Sequence, residues 1–159
     1  MIRPLQLKDK DTLFKIINSI NLFSEDEKTV AKELIEEVLY NKFQDYYNVF
    51  VYENETDGKV HGYHCTGKRS MTEGVYDMYW IAVDPNYHNK GVGKLLINHA
   101  EKFVKDQNGN LILAETSSKD SYINTRSFYK ANNYEVLAEI KDFYKKDDNL
   151  IIFGKYIRI

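Results

Sequence analysis

A run of aromatic and β-branched residues from Val75 to Val83 leads through a short loop into an amphipathic helix, and this junction constrains the fold most. Asp84-Pro85 ends the run, since proline interrupts a strand. Apolar spacing predicts a helix over 90–105 and a short buried strand over 111–114. A strand, a helix and a second parallel strand in one sheet form a right-handed crossover. The sequence therefore predicts a parallel strand pair near the centre of a sheet.

The other segments are predicted to add mostly antiparallel strands around this pair. Further strands are predicted at 2–7, 48–52, 60–67, 134–140 and 150–156, and further helices at about 9–20, 24–40 and 121–132. Ser24 and Glu27 form a capping-box pattern at one helix start, and Val30 and Leu95 are predicted to face the core. The element order predicts an α/β (α+β) fold, with a mixed, mostly antiparallel sheet flanked by about four helices. Residues 1–159 carry no repeat or linker-like tract, which favours a single domain.

The charge balance indicates which partners the protein binds, and the cysteine content indicates its cellular compartment. The 159-residue chain has 22 Lys and Arg against 24 Asp and Glu, a net charge of −2. A nucleic-acid-binding protein usually carries a basic surplus or stripe, so no nucleic-acid partner is predicted. Cys65 is the only cysteine, which favours a reducing, cytoplasmic location. No apolar run is long enough for a membrane span. A homodimer is left open.

The loop before the helix predicted at 90–105 carries two glycines, Gly91 and Gly93, in the sequence His88 to Lys94. Successive backbone N–H groups and a helix N-terminus meet there, which suits a phosphate group. A Walker loop would need Gly at 88 and Ser or Thr at 95, where the chain has His88 and Leu95. A dinucleotide fingerprint would need a small residue in place of Leu96. The loop therefore indicates a phosphate site of a third kind.

This segment resembles the acetyl-CoA-binding motif of the GNAT acetyltransferase superfamily, Q/R-x-x-G-x-G/A, here at 88–93. In that family the motif follows an apolar strand ending in Val-Asp-Pro, as at 83–85. Residues 128–134 are similar to the family's second motif, Phe-Tyr-x-x-x-Gly-Phe. The resemblance covers about 75–135 by motif and the rest of the chain by element order. It implies the GNAT fold and acetyl-CoA as co-substrate, with no metal.

The resemblance also implies which residues bind the co-substrate. Pyrophosphate would lie on the N–H groups of 88–94, and the pantetheine arm would bond to the backbone of Ile81 and Val83. The implied contacts are Ile81, Ala82, Val83, His88, Asn89, Lys90, Gly91, Val92, Gly93, Lys94, Tyr122, Arg126 and Tyr129. In the family the sheet splays beside this strand and opens a cleft between 75–83 and 111–116. The acceptor enters that cleft from the opposite side.

Three positions depart from the family pattern. His88 replaces Gln or Arg and is a weaker, pH-dependent partner for an anion. Tyr122 replaces the Asn that often opens the second motif, which puts a side-chain contact from this position in doubt. Asn133 replaces Gly, which is tolerable because Asn can adopt the left-handed conformation after a helix.

Acetylation of an amine requires proton transfer, because an amine is protonated at neutral pH. Asp77 occupies the position where the family's histone-modifying members carry their basic glutamate, and Glu115 ends the next strand. The sequence leaves open whether Asp77, Glu115 or neither of them accepts the proton. An acid without this role would be a solvated or ion-paired carboxylate at a strand end. Tyr129 occupies the family's position for protonating the departing thiolate. Tyr79 shares the strand face of Asp77 by alternation.

The predicted function is transfer of an acetyl group from acetyl-CoA to a primary amine of a small molecule, an amino acid or a peptide or protein. The amine would attack directly in a ternary complex. The alternative is a catalytically silent domain that binds or senses acyl-CoA. His61 and His64 are predicted to point to opposite faces of a strand and so not to share a metal. The segment 142–144 either borders the acceptor pocket or has only a packing role in the fold.

Overall fold

The computed structural model describes residues 1–157. Its strands are β1 (Ile2–Pro4), β2 (Asn48–Glu53), β3 (Val60–Lys68), β4 (Val75–Val83), β5 (Leu111–Ser117), β6 (Glu135–Lys145) and β7 (Asp148–Tyr156). Its α-helices are α1 (Lys10–Ser19), α2 (Glu25–Tyr40), α3 (Val92–Asp106) and α4 (Ile123–Ala131), and single 3₁₀ turns lie at Leu7–Asp9, Pro85–Tyr87 and Asp120–Tyr122. The predicted order of elements is confirmed. No helix among these residues is long and apolar enough to cross a membrane.

All seven strands form one sheet in the order β1-β2-β3-β4-β5-β7-β6. Every neighbouring pair is antiparallel except β4 and β5, which are parallel and joined through α3. The predicted α/β fold, with a mostly antiparallel sheet and a central parallel crossover, is confirmed.

Helices cover the two faces of the sheet and enclose two cores. On one face, called the α1/α2 face, the buried residues include Leu13, Ile17, Ile35, Val51, Tyr63 and Ala82. On the other, called the α3/α4 face, they include Ile97, Val104, Ile112, Ala114, Tyr129 and Phe153. Burial of these apolar surfaces is the main force that holds helices to sheet.

A β-bulge at Tyr79 interrupts the ladder between β3 and β4. Cys65 pairs with Trp80 and Thr66 pairs with Met78, so Tyr79 has no partner on β3. Its ring packs instead against Tyr47 from the α1/α2 face, with ring centroids 5.0 Å apart. A bulge of this kind shifts the alternation of side chains along the strand.

The bulge decides which face each side chain of β4 occupies. Tyr76 and Met78 belong to the α3/α4 core, whereas Ala82 belongs to the α1/α2 core and Trp80 packs against it. Asp77 lies between Tyr76 and Met78 and therefore projects from the α1/α2 face. The alternation predicted from sequence holds from Tyr76 to Tyr79 and breaks between Tyr79 and Trp80, which lie on the same face.

Two helix ends follow their sequence signals. Ser24 accepts a hydrogen bond from the Glu27 N–H, and the Glu27 side chain accepts one from the Ser24 N–H, which is a complete capping box. Asn133, directly after the C-cap of α4, has a φ of 67°. The predicted left-handed conformation at this position is confirmed.

Two predictions of burial are wrong. Val30 is 52% exposed and Leu95 is 49% exposed. The buried residues of α3 are Val92, Leu96, Ile97, Ala100 and Val104, and those of α2 are Ala31, Leu34 and Ile35. At 3.6 residues per turn, Val30 and Leu95 fall outside these stripes. The apolar spacing predicts each helix correctly, but each helix turns one of its apolar residues toward solvent.

Candidate active site

A gap opens between the two parallel strands at the centre of the sheet. β4 and β5 are paired only from Val75 to Asp77 and from Leu111 to Leu113. Beyond those residues β4 stays paired with β3, and β5 stays paired with β7 to the end of the strand. The sheet therefore divides at its middle and leaves two facing strand edges without each other as partners.

The edge of β4 presents backbone groups into this gap. The Asp84 N–H donates to the His61 carbonyl at 2.8 Å, which fixes these residues as a hydrogen-bonded pair. By antiparallel alternation, Ala82 also bonds to β3, while the N–H and C=O groups of Ile81 and Val83 point away from β3. Ala82 is moreover buried on the α1/α2 face. Ile81 and Val83 thus have the geometry that the predicted contacts require, and the backbone of Ala82 does not.

The loop after β4 folds back over the same edge. The His88 Nε2 lies 3.0 Å from the Val83 carbonyl oxygen, which it meets as a donor. Asp84 caps the 3₁₀ turn at Pro85–Tyr87, and its side chain accepts from the Asn86 N–H at 3.0 Å. Tyr87 donates its hydroxyl to Asp57 at 3.0 Å and so ties the loop to the turn between β2 and β3. His88 therefore has a structural partner at the end of β4.

Two residues in the left-handed region turn the chain into α3. Asn89 has a φ of 61° and Gly91 a φ of 80°. The first turn of α3 leaves the N–H groups of Val92, Gly93 and Lys94 without partners in the helix, whereas Leu95 donates to the Gly91 carbonyl. Three donors without partners in the helix therefore lie at the N-terminus of the 15-residue α3, an arrangement that suits an anion.

Gly91 and Gly93 are required in the loop for different structural reasons. A Cβ at Gly91 would meet nothing within 4 Å, so this position needs glycine for its backbone conformation. A Cβ at Gly93 would lie 3.2 Å from the Phe128 ring. Gly93 thus also allows α3 and α4 to approach each other closely.

The two predicted acids lie on the α1/α2 face, at the point where the strands part. Asp77 is in the last paired position of β4, and Glu115 lies two residues beyond the last paired position of β5. Arg69 Nη1 is 2.8 Å from Asp77 Oδ1 and 4.0 Å from Glu115 Oε1. The structure brings both acids together, and it places beside them an arginine that no local sequence signal predicts there.

Tyr129 lies on the opposite face of the sheet. It is 5% exposed and packs among Tyr134, Phe153 and Phe128. Burial raises the pKa of its phenol well above the usual range, because an ionised phenol is poorly solvated there. The phenol therefore stays protonated at neutral pH, and its proposed role as a proton donor stays a prediction.

The remaining two predicted contacts are engaged elsewhere. Tyr122 donates its hydroxyl to the Glu27 carboxylate, 3.2 Å from each oxygen. Arg126 Nη1 donates to the carbonyls of Ser117 and Lys119, at 2.9 and 2.7 Å, and so closes the turn after β5. Both side chains position the segment after β5, and their predicted contact with a co-substrate stays a prediction.

The two histidines of β3 do point to opposite faces. His61 Nε2 lies 3.0 Å from Asp57 Oδ2, and its ring stacks on Tyr87. His64 Nε2 lies 2.9 Å from Nδ1 of His99, on α3. Among residues 1–157, no group of three or more His, Cys, Asp or Glu side chains is placed to hold a metal ion. The buried Cys65 thiol has its pKa raised by burial.

The fold and the gap define an acetyltransferase architecture, and the comparisons agree. Residues 45–136 match the family model of the acetyltransferase (GNAT) domain. The chain belongs to the GNAT family of acetyltransferases. None of the curated proteins compared with the chain matches it.

Solved structures place the chain more closely within this family. It is similar to a Desulfovibrio desulfuricans protein assigned to the GNAT family, at 31% identity and a TM-score of 0.92 over 99% of both chains. The ribosomal-protein-S18-alanine N-acetyltransferase of Escherichia coli has 18% identity and a TM-score of 0.76, over 100% of this chain and 94% of that one. The Salmonella typhimurium protein yncA, solved with acetyl-CoA, has 16% identity and a TM-score of 0.74, over 100% and 94%. The last two show a shared fold alone.

Proposed function

We propose that this protein transfers the acetyl group of acetyl-CoA to a primary amine, which attacks directly in a ternary complex. The observation that carries the proposal is the gap in the sheet, where the backbone groups of Ile81 and the N–H of Val83 point away from β3 and lead toward the N-terminus of α3. An extended arm with amide groups fits such a strand edge, and a pyrophosphate fits the free N–H groups of the helix. The Salmonella protein of the same fold was solved with acetyl-CoA as its cofactor.

Acetyl-CoA, when bound, supplies an activated thioester carbonyl. The amine approaches from the α1/α2 face, where Glu115 and Asp77 lie. Glu115 is the better proton acceptor, because Asp77 is ion-paired with Arg69 at 2.8 Å, whereas Glu115 is 4.0 Å away and 45% exposed on its side chain. After Glu115 takes a proton, directly or through one water, the amine nitrogen has a free lone pair. We therefore assign Glu115 as base and Asp77 as the anchor of Arg69.

The departing sulfur requires a proton from the other face. Tyr129 lies there as a neutral, buried phenol. A phenol held beside a developing thiolate stabilises it by hydrogen bonding and proton transfer. The base and the acid thus act on opposite faces of the sheet, one on the nucleophile and one on the leaving group.

The test of co-substrate binding uses two glycines as a matched pair. Gly91 and Gly58 have φ values of 80° and 66°, and a Cβ at either would meet nothing within 4 Å. Gly91→Val and Gly58→Val therefore introduce similar strain, but only Gly91 borders the proposed anion site. We expect acetyl-CoA to raise the melting temperature of the wild type and of Gly58→Val, by ligand linkage, and not that of Gly91→Val.

A second measurement separates catalysis from binding. A panel of primary amines is incubated with acetyl-CoA, and release of free thiol is followed. Amine-dependent thiol release supports the acetyltransferase. A melting shift without thiol release for any amine would instead support the silent acyl-CoA-binding domain. Absence of a melting shift at millimolar acetyl-CoA would contradict both.

A further inference from the structure

The backbone of Arg69 is anchored in the turn between β3 and β4, near the point where the two parallel strands separate. Its N–H donates to the Val75 carbonyl at 2.9 Å, and its own carbonyl accepts from the Thr72 hydroxyl at 2.7 Å. Its guanidinium reaches along β4 to Asp77. Because Asp77 also marks the end of strand pairing, the guanidinium lies at the entrance of the gap on the α1/α2 face.

Most of the binding capacity of this guanidinium is unused. Arginine has five N–H donors, and among residues 1–157 the Arg69 side chain makes one hydrogen bond, to Asp77. Its side chain is 46% exposed. The 4.0 Å between Arg69 Nη1 and Glu115 Oε1 is too long for a hydrogen bond, and the Glu115 carboxylate makes no hydrogen bond within the described residues. A guanidinium with unused hydrogen-bond donors and a carboxylate with unused acceptors therefore lie side by side.

We propose that Arg69 and Glu115 form an acceptor subsite for a free amino acid, with the carboxylate on Arg69 and the amino group on Glu115. The inference rests on the proposed function and names its substrate class. Arginine binds carboxylates with two parallel hydrogen bonds, which fixes their orientation. The short distance between the two groups selects acceptors whose amine and carboxylate are separated by one or two carbon atoms. A polyamine would place a second positive charge against Arg69.

The reaction balances with these residues. The bound ammonium gives one proton to Glu115, and the nitrogen then forms a bond to the acetyl carbon as the carbon–sulfur bond breaks. The sulfur takes a proton from Tyr129, and Tyr129 recovers the second proton that the nitrogen loses, through water. Glu115 releases its proton to solvent. The products are an N-acetyl amino acid, free CoA and one proton.

The decisive comparison is between amino acids and their carboxamides, which keep the amine and replace the carboxylate by a neutral group. Thiol release is measured for the standard amino acids and their amides with the wild type, Arg69→Gln and Lys68→Gln. Lys68 is the matched control, because it precedes Arg69 and is exposed, but pairs with Tyr76 on the opposite face. Melting temperatures of all three proteins are recorded alongside.

The wild type is expected to prefer one or more amino acids over their amides by at least about tenfold in kcat/KM. Arg69→Gln should lower kcat/KM for amino acids by roughly 10–150-fold, chiefly through KM, as expected for a charge-assisted hydrogen bond. It should change kcat/KM for amides by no more than about threefold, and Lys68→Gln should change neither. An equal loss on both substrate sets would reduce Arg69 to a positioning residue for Asp77 and overturn the proposal.

Binding of the amino acid can also be measured without turnover, through the fluorescence of a tryptophan. Trp80 is the only tryptophan and lies on the same face as Asp77, beside Phe23. With CoA present in place of acetyl-CoA, the preferred amino acid should change its fluorescence in the wild type and not in Arg69→Gln. If carboxylate-free amines are acetylated better than any amino acid, the subsite is wrong while the acetyltransferase stands. If acetyl-CoA itself gives no melting shift, the proposed function fails.

Discussion

The two faces of the sheet at the gap differ sharply in chemistry. On the α1/α2 face lie Arg69, Asp77 and Glu115, all charged and partly open to solvent. On the α3/α4 face lies Tyr129, uncharged and enclosed by aromatic rings. A charged group needs solvent or a counter-ion, whereas a phenol can be buried in its neutral form. The gap therefore joins a face suited to a charged acceptor with a face suited to a neutral proton donor.

The largest expected effect comes from the neutral face. Tyr129→Phe removes one hydroxyl and keeps the ring packed, so the melting temperature should change little. Single-turnover thiol release should fall by about 10²–10⁴, the usual range for a positioned acid, while acetyl-CoA affinity stays nearly constant. A single-turnover rate near that of the wild type would make Tyr129 a packing residue and remove the proposed division between the faces.

The charged face is tested by its two acids. Glu115→Gln should lower kcat at neutral pH by about 10²–10³, and the loss should shrink at high pH, where the amine is already deprotonated. Asp77→Asn should cost about tenfold or less, because it acts through Arg69. Steady-state rates from pH 7 to 10 with one acceptor check both. The reverse order of losses would exchange the roles of Glu115 and Asp77.

Stability at low pH distinguishes the two faces of β3. Burial and the neighbouring His99 lower the pKa of His64 from 6.5 to about 3. The unfolded chain binds a proton at His64 below pH 6.5, whereas the folded chain stays neutral down to about pH 3. Stability therefore falls as pH drops through this window, by about 2 kcal/mol at pH 5 from this group.

His64→Leu should remove about that much of the difference in unfolding free energy between pH 7.5 and pH 5, measured by urea denaturation. His61→Asn is the control on the other face, where the ring pairs with Asp57, and it should keep the contribution of His64. An unchanged pH dependence in His64→Leu would mean that the buried histidine pair does not set acid stability.

The smallest effect concerns contact between the helices on the α3/α4 face. A methyl group at position 93 would lie 3.2 Å from the Phe128 ring, so that ring must shift slightly. Gly93→Ala is expected to cost about 1–2 kcal/mol of stability, as for mild overpacking, and urea denaturation measures it. A stabilised Gly93→Ala variant would show that α3 and α4 have room to separate. Its acetyl-CoA affinity tests the anion site at the same position.

Local sequence signals determined much of the fold. The aromatic and β-branched run at 75–83 predicted both ends of β4, since strand propensity and Asp84-Pro85 act locally. Ser24 with Glu27, and Asn133 after α4, likewise predicted helix ends through contacts only a few residues apart. Gly91 and Gly93, followed by the apolar spacing of a helix, predicted the loop before α3, and this segment also carries the motif that resembles a known family.

Only the tertiary structure decided which groups meet across the gap. The bulge at Tyr79 arises from pairing with β3, and it places Trp80 and Ala82 on the face opposite to Tyr76. Arg69 reaches Glu115 across 46 positions of sequence, a distance over which no periodicity or cap gives a signal. The sequence by itself determined the strands, the helices and the two-glycine loop before α3, because these depend on neighbouring residues. The pairing of Arg69 with two acids depends on how the strands separate, and that is a property of the assembled sheet.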